Sequence, residues 1–188
     1  MFLILHELSI FVKLLNSQHV QVILMSDSTH IIHPIPPLFD AECKILILGS
    51  FPSVKSREAM FFYGHPQNRY WKLIARLFDE PVPETIEAKK SLVLSHHIAM
   101  WDTIHSCTIT GSSDSSIRDV VPNDLSVILD HSKVNKIFCN GATSHKLYMK
   151  YIYPVTRIEA VKLPSTSPAN AAFSIDRLER EWRIIKDI

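Results

Sequence analysis

The segment that most constrains the fold of this chain is the apolar run at residues 44–48, which ends at Gly49. After Lys44 the run consists only of isoleucine and leucine, so a strand formed here would be buried on both faces. Such strands are typical of parallel sheets that carry helices on each side. In these sheets ligands bind at the carboxyl ends of the strands. We therefore expect the loop that begins at Gly49 to form part of a binding pocket.

Further strands and helices alternate along the rest of the chain. Three more strands are predicted at residues 98–101, 136–139 and 157–163. Helices are predicted at residues 67–78, 83–94, 119–131, 141–151 and 174–188. Residues 33–37 are stiffened by proline, and residues 108–116 are rich in serine and threonine, which is typical of a loop. The alternation predicts an α/β fold of three layers, α/β/α, around a central and mainly parallel four-stranded sheet.

The length of 188 residues fits one domain with a substantial core. Residues 28–188 are predicted to form this domain, and residues 1–27 to be an N-terminal extension whose role the sequence leaves open. The extension lacks a basic start and a small-residue cleavage site, so a signal peptide is not expected. Its apolar part is interrupted by His6, Glu7 and Lys13 and is too short to cross a bilayer. No membrane partner is expected, and the predicted location is the cytoplasm.

The three cysteines, Cys43, Cys107 and Cys139, are far apart in the sequence. No C-x-x-C pair occurs, so neither a zinc nor an iron–sulfur site is indicated. Cys43 and Cys139 border apolar strands and are predicted to be small core residues. The glycine-rich phosphate-binding motifs and the H-E-x-x-H and G-x-S-x-G motifs are also absent. No metal and no cofactor are expected.

Three polar loops carry the patterns that bear on function. They are GSFPS at residues 49–53, YGHPQNRYW at residues 63–71, and STSPAN at residues 165–170. Loops of this kind at strand ends can surround a flat polar ring, such as a nucleobase, with backbone N–H groups, an aromatic ring and an amide. The net charge of +1 gives no basic field over the whole chain, so a nucleic-acid-binding face would be local.

In this order the three loops resemble the conserved loops of the uracil-DNA glycosylase superfamily, and most closely those of its hypoxanthine-DNA glycosylase branch. The resemblance covers residues 28–188. It implies a monofunctional DNA glycosylase that removes hypoxanthine, and other deaminated bases, from single- or double-stranded DNA in base excision repair. The enzyme would be a nucleoid-associated monomer that uses water as the nucleophile. Two alternatives stay open: a uracil- or mismatch-specific glycosylase, and a DNA-binding module on the same fold that has lost excision.

The resemblance also assigns roles to particular residues. The first loop has Ser50 and Phe51 where many relatives carry the Asn or Asp that positions water, so catalysis is expected to fall to Asn68 and Ser167. The hydrogen bond to the departing base could come from Ser167, from Asn140 or from a backbone N–H. The residues expected to contact the base are Gly49, Ser50, Phe51, Tyr63, His65, Asp102 and Asn140, with Tyr63 stacking on it. The residues expected to contact the DNA backbone are Ser53, Arg69, Ser165, Thr166, Ala169 and Asn170.

The resemblance leaves the role of Arg69 open, and the last loop departs from the pattern of the family. For Arg69, a structural ion pair is an equal alternative to the phosphate contact. The last loop lacks the histidine that many relatives use to steady developing negative charge, and has Ser165-Thr166-Ser167-Pro168 instead. This departure predicts weak excision of uracil.

Overall fold

The computed structural model describes residues 28–187. These residues form seven strands: β1 (Ser28–Ile32), β2 (Ile45–Gly49), β3 (Ile98–Asp102), β4 (Ile104–Thr110), β5 (Arg118–Pro122), β6 (Lys136–Asn140) and β7 (Ala160–Leu163). They also form seven α-helices: α1 (Val54–Glu58), α2 (Tyr70–Leu77), α3 (Ile86–Ser95), α4 (Ser126–Leu129), α5 (Ala142–Leu147), α6 (Tyr153–Thr156) and α7 (Ile175–Trp182). A π-helical turn at Tyr148–Ile152 joins α5 to α6, and 3-10 turns lie at Asp114–Ser116 and Arg183–Lys186.

The central sheet consists of four parallel strands in the order β3-β2-β6-β7. All five residues of β2 are buried, as its uninterrupted apolar run predicts. Its side chains alternate between two cores. Ile45 and Ile47 pack with residues of α2, α3 and α7, whereas Leu46 and Leu48 pack with residues of α4 and of the π-helical turn. The predicted three-layer α/β/α fold with a four-stranded parallel sheet is confirmed.

A second sheet, which the sequence does not predict, packs beside the first. It is antiparallel and has the order β1-β4-β5. The predicted helix at residues 119–131 is wrong in its first part, which belongs to β5, and only Ser126–Leu129 is α-helical. The predicted loop at residues 108–116 is wrong at its start, because β4 continues to Thr110. β-Branched residues pair well across strands, and Pro122, which lacks an N–H, ends β5 instead of starting a helix.

The second sheet abuts the first polar loop. Phe51 packs with Ile104, Cys107 and Ile109, which are inward-facing residues of β4. The backbone N–H of His33, just after β1, donates to the His105 carbonyl at 2.6 Å. The antiparallel sheet therefore delivers residue 33 to the carboxyl end of the neighbouring strand β3.

Helix α7 holds the start of the third polar loop against the core. Trp182 is fully buried and meets Tyr70 of α2 edge-to-face, with ring centroids 5.9 Å apart. The Trp182 Nε1–H donates to the Pro164 carbonyl at 2.9 Å. On the outer side of the same pair of helices, Arg76 bridges to Asp176 and Glu179. Helices α2 and α7 thus fix the second and third loops relative to each other.

All three cysteines are buried and unpaired. Burial raises the pKa of the Cys43 and Cys107 thiols to about 11 and that of Cys139 to about 12. The prediction that Cys43 and Cys139 are core residues is confirmed. Within residues 28–187, no helix has the length and apolar character needed to cross a membrane.

Candidate active site

A cavity of about 860 Å³ opens where the four parallel strands end. The last residue of each strand, Gly49, Asp102, Asn140 or Leu163, lines it. Loop residues complete the wall: Ser50, Phe51, Pro52, Ser53, Ser56, Phe62, Tyr63, Asn68, Ile109, Ser112, Ser113, Asp114, Ser115, Ala142, Lys162, Pro164, Ser165, Thr166, Ser167, Ala169, Asn170, Phe173 and Glu181. The volume falls within the range of small-molecule sites, about 300–1,000 Å³. The three polar loops therefore do surround one shared cavity.

Gly49 allows two polar groups to converge at the end of β2. A Cβ atom at residue 49 would lie 2.1 Å from Asp102 Oδ1 and 3.6 Å from the Tyr63 hydroxyl. Because any side chain larger than hydrogen would collide with the carboxylate, glycine is required here for a close approach. The carboxylate and the phenol consequently face the same small region of the cavity wall.

The Asp102 carboxylate is buried and paired with His33. His33 Nε2 lies 2.8 Å from Asp102 Oδ2, and the two side chains are 1% and 7% exposed. His33 Nδ1 accepts the Ile35 N–H at 3.2 Å, which leaves Nε2 to carry the proton and donate to the carboxylate. The ring edges of His33 contact Phe51 and Trp101. One oxygen of Asp102 is thereby fixed inside the protein, while the residue itself lines the cavity.

Tyr63 can offer only one ring face to a ligand, because Tyr70 covers the other. The two rings stack with centroids 4.0 Å apart and planes at 24°. Tyr63 has a φ of 51°, in the left-handed region that bulky residues rarely adopt. Burial, and to a lesser extent the charge of Asp102, raises the pKa of the Tyr63 phenol well above its usual value. The hydroxyl thus stays protonated and remains a hydrogen-bond donor at neutral pH.

Asn68 lines the cavity and also supports the helix that follows it. Its Oδ1 accepts the N–H of Tyr70, the first residue of α2, at 2.9 Å. This bond satisfies one of the free N–H groups at the helix start and orients the amide. Within residues 28–187, the Asn68 Nδ2 makes no hydrogen bond, so this group and the second lone pair of Oδ1 stay available to a ligand.

Asn140 uses its amide to hold the third loop. Its Nδ2 donates to Thr166 Oγ1, and its Oδ1 accepts the Thr166 N–H, both at 2.9 Å. Gly141, with a φ of 103°, lets Ser165 come close: a Cβ atom there would lie 3.1 Å from Ser165 Cβ. Asn140 therefore lines the cavity, and the pair with Thr166 occupies one donor and one lone pair of its amide.

The loop at residues 165–170 is stabilised by its own polar groups. Ser165 Oγ accepts the Ser167 N–H, and Ser167 Oγ accepts the Ala169 N–H. The Asn170 Nδ2 donates to the Ser165 carbonyl at 2.9 Å. These bonds create a compact turn that places several hydroxyl groups on the cavity wall. All four predicted backbone-contacting residues of this loop line the cavity.

The predicted phosphate contact of Arg69 is corrected, because its guanidinium is used inside the protein. Nε donates to the Thr166 carbonyl, Nη1 to that of Phe173, and Nη2 to those of Ser167 and Asn170. The side chain does not line the cavity. Arg69 instead fastens the third loop to the segment that carries Asn68, through carbonyl groups and not through the ion pair that the sequence allows as an alternative.

The prediction that His65 contacts the base is also corrected. His65 does not line the cavity, and its Nδ1 accepts the N–H of Gln67 at 3.2 Å within the turn. Ser53 does line the cavity, but its hydroxyl also caps α1 by accepting the Ser56 N–H at 3.2 Å.

Residues 36–188 match the family model described as the Uracil DNA glycosylase superfamily. The chain belongs to this superfamily. A curated relative from Methanosarcina acetivorans, named Hypoxanthine DNA glycosylase, is 33% identical over 154 residues that cover 80% of this chain and 94% of the relative. A second protein of that name, from Methanosarcina barkeri, is 29% identical over 111 residues that cover 58% of this chain and 70% of the relative. The predicted superfamily and its hypoxanthine branch are confirmed.

A solved structure of a superfamily protein shares this fold. It is a solution NMR structure from Methanosarcina acetivorans, described as a candidate uracil DNA glycosylase, and its TM-score against this chain is 0.71 at 30% identity. The match covers 84% of this chain and 98% of that chain. The likeness therefore extends over nearly the whole of the solved structure.

The first loop contacts a carboxylate that comes from a distant part of the sequence. The Ser50 Oγ donates to Asp114 Oδ1 at 2.9 Å. Asp114 comes from the turn after β4 and lines the cavity. A carboxylate is thus present beside the first loop, although it is 64 residues away in the sequence.

Sequence reasoning misses Asp114 and His33 for different reasons. Asp114 lies in a serine-rich stretch that is typical of a solvent-exposed loop. His33 lies in a proline-rich lead-in, and its partner Asp102 is 69 residues away. The one local feature of the sequence that bears on His33 is the proline that follows it, because Pro34 favours an extended conformation at residue 33. That signal does not identify the carboxylate that the histidine meets.

Proposed function

We propose that this chain is a monofunctional DNA glycosylase that hydrolyses the N-glycosidic bond of deoxyinosine and releases hypoxanthine. The observation that carries the proposal is the single cavity at the strand ends, where an aromatic face, a carboxylate and an amide meet. The names of the two Methanosarcina relatives agree with it. Because a base inside a duplex is inaccessible, the enzyme would turn the nucleotide out of the helix, at a cost of a few kcal/mol.

The extruded base would stack on the open face of Tyr63. Stacking of a base on an aromatic side chain is worth about 1–3 kcal/mol and does not depend strongly on the base. Tyr70 backs the Tyr63 ring, so the platform is rigid before the base arrives. A deaminated base pairs poorly, which lowers the cost of extrusion and favours damaged sites.

Asn68 would hold the attacking water. An amide is too weakly basic to remove a proton outright, but the free lone pair of its Oδ1 can accept a hydrogen bond from water and stabilise positive charge on the sugar. The bond from the Tyr70 N–H keeps the amide in place at no cost during the reaction. Catalysis would then rest on positioning and electrostatics, with water as the nucleophile.

The third loop would meet the sugar–phosphate chain. Its hydroxyl and N–H groups are of the kind that bind phosphate without reading sequence. Lys162 lines the same cavity and adds positive charge next to the loop. Ser167 lies in this loop and would hydrogen-bond the departing base, which assists its release.

A strand-cleavage assay tests the proposal. The full chain is incubated with an end-labelled duplex that carries one deoxyinosine, and the control duplex carries deoxyadenosine. We expect breakage at the deoxyinosine only after alkali treatment, because a monofunctional enzyme leaves an intact abasic strand. Breakage without alkali would point to a lyase step, for which Lys162 is the amine that lines the cavity.

Two other outcomes of the assay bear on the alternatives. Binding of the duplex without release of the base would support a DNA-binding module and overturn the glycosylase proposal. Faster release of uracil than of hypoxanthine would support the uracil-specific alternative. We also propose that the protein acts as a nucleoid-associated monomer in the cytoplasm.

A further inference from the structure

We propose that Asp114 accepts a proton from the water that attacks C1′ of the sugar, and is therefore a catalytic residue of this site. The inference rests on the proposed function and supplies the proton acceptor that the hydrolysis needs. Asp114 lies in the serine-rich turn after β4, a stretch for which the sequence predicts only a loop.

Hydrolysis of the glycosidic bond requires a group that can take up a proton. When the water oxygen bonds to C1′, the bond from C1′ to N9 of the base breaks, and its electron pair leaves with the base. One proton must then be removed from the water oxygen, and one must be added to the departing base. The amide of Asn68 can orient water but cannot take up its proton. A carboxylate beside the water can accept this proton and release it to the base through solvent.

Within residues 28–187, five titratable side chains line the cavity: Tyr63, Asp102, Asp114, Lys162 and Glu181. Burial raises the pKa of the Tyr63 phenol well above its usual value, so this group keeps its own proton. Lys162 is a cation, and Asp102 is already paired with His33. Glu181 belongs to α7, next to the tryptophan that holds the start of the third loop, on the side where phosphate is expected. The carboxylate of the serine-rich turn remains as the proton acceptor.

The serine-rich turn is fixed against the first loop and α1 by three hydrogen bonds. Ser50 Oγ donates to Asp114 Oδ1 at 2.9 Å. The Val54 N–H, at the start of α1, donates to Ser112 Oγ at 2.9 Å. At the base of the turn, Arg57 donates to a main-chain carbonyl at 3.3 Å. The carboxylate therefore has a defined place on the cavity wall, as a catalytic group requires.

The Asp114 carboxylate is open to water and has raised basicity. Ser50 occupies one lone pair of Oδ1, whereas an ionised carboxylate has about four acceptor positions. The residue as a whole is exposed and lines the cavity. Partial burial of its carboxylate nevertheless raises its pKa; the hydroxyls of Ser50 and Thr143 oppose this rise, and the negative charge of Asp102 adds to it. A carboxylate with a raised pKa is a better proton acceptor.

The bond to Ser50 also brings Asp114 near the place where the base is expected. Ser50 directly follows Gly49, where the Asp102 carboxylate and the Tyr63 hydroxyl converge. C1′ is one bond away from the base, so a group beside Ser50 can meet water next to the sugar. Its negative charge would also stabilise the positive charge that develops on the sugar.

The experiment uses the full chain and an oligonucleotide with one deoxyinosine. Asparagine keeps an acceptor for the Ser50 hydroxyl but cannot take up a proton, so Asp114→Asn should lower single-turnover excision by about 100-fold or more. Affinity for the DNA should not weaken, because the change removes a negative charge. Asp119→Asn is the control, since Asp119 is exposed on β5 and does not line the cavity. A wild-type rate in Asp114→Asn would overturn the inference.

Asp114→Ala separates proton transfer from support of the turn. It leaves room beside Ser50 for a small carboxylate, so sodium formate should raise its rate of excision. Formate should not raise the rate of Asp114→Asn, in which the amide fills the same space. Sodium chloride at equal concentration controls for the effect of salt on DNA binding. If formate raises the Asp114→Ala rate no more than chloride does, Asp114 only supports the turn and the inference is overturned.

The wild-type rate distinguishes this inference from the proposed function. If the wild-type protein releases no hypoxanthine, the proposed function itself fails. If it releases hypoxanthine and Asp114→Asn does so equally fast, the glycosylase proposal stands and only the role of Asp114 is lost.

Discussion

Asn140 and Thr166, which both line the cavity, are joined by a reciprocal pair of hydrogen bonds. The Asn140 amide donates to Thr166 Oγ1 and accepts the Thr166 N–H, each at 2.9 Å, and both residues are buried. The pair joins the end of β6 to the third loop, 26 residues later. The loop that would meet DNA is therefore held by the same strand end that lines the base pocket.

Thr166→Val removes one half of this pair and leaves the Asn140 Nδ2 without its partner. Because an unsatisfied buried donor costs about 1–3 kcal/mol, the free energy of unfolding should fall by that amount. Urea denaturation measures it. Thr166→Ser keeps the hydroxyl and should stay near the wild-type stability. A loss of stability in Thr166→Ser with none in Thr166→Val would mean that the methyl group, and not the hydrogen bond, stabilises the loop.

Arg69→Lys should loosen the third loop without unfolding the protein. A lysine ammonium cannot reproduce the planar fork that donates to four carbonyl groups. We expect faster amide hydrogen exchange at residues 165–173 and a drop in excision of about 10-fold. Arg180→Lys is the control, since Arg180 is exposed. Unchanged exchange in Arg69→Lys would refute the fastening role, whatever the effect on the rate.

Two substitutions separate the structural and chemical roles of Asn68. Asn68→Ala should lower single-turnover excision by about 10-fold or more, which corresponds to at least about 1.4 kcal/mol. It should also destabilise the protein by about 1 kcal/mol, since the bond to the Tyr70 N–H is lost. Asn68→Ser keeps an acceptor for that N–H, so it should restore stability but not activity. Full activity in Asn68→Ser would exclude the amide from catalysis.

Gly49→Ala adds only one methyl group but should strongly disturb the pocket. The new Cβ atom would lie 2.1 Å from Asp102 Oδ1, so the carboxylate must leave its place beside His33. We expect excision of hypoxanthine to fall by about 100-fold or more, a change of at least about 2.7 kcal/mol. Gly111→Ala is a useful comparison, because no atom lies within 4 Å of a Cβ there, although its φ of 57° adds strain. An active Gly49→Ala variant would show that Asp102 can move freely.

The raised pKa values of the Tyr63 and Tyr70 phenols predict that the protein loses stability at alkaline pH. Burial raises the pKa of both groups in the folded protein, so the unfolded chain releases these protons first. The free energy of unfolding should therefore fall as pH rises above about 10, the usual pKa of tyrosine. Tyr63→Phe removes one such proton and should reduce the slope by up to about 1.4 kcal/mol per pH unit.

Urea titrations from neutral pH to above the usual pKa of tyrosine measure this slope. The cysteine thiols also have raised pKa values, but they are the same in both proteins and cancel in the comparison. An identical slope in the wild type and Tyr63→Phe would mean that Tyr63 ionises in the folded state as easily as in the unfolded state.

The parallel sheet could be predicted because its strands carry a strong local signal. An uninterrupted apolar run such as residues 45–48 fits only a strand covered on both faces or a buried helix, and its short length favours the strand. The antiparallel sheet carries no such signal. Its strand β5 contains Arg118, Asp119 and Pro122, and its formation depends on pairing with β4. Tertiary pairing of this kind overrides local propensity.

The candidate site could be predicted in its loops but not in its internal contacts. The three motif loops do line one cavity, because the strand ends of a parallel sheet meet at the same edge. The guanidinium of Arg69 could equally have faced solvent, and only the fold shows that it meets carbonyl groups 97 to 104 residues away. The partnership of His33 with Asp102 is a long-range contact of the same type.

The burial of the three cysteines has a consequence for the conditions in which the protein can work. Nitrosating agents, which convert adenine to hypoxanthine, also modify thiolates in proteins. Cys43, Cys107 and Cys139 are inaccessible, and their raised pKa values keep them as thiols at neutral pH. The chemical stress that produces the proposed substrate would therefore find no reactive cysteine thiolate on the repair protein.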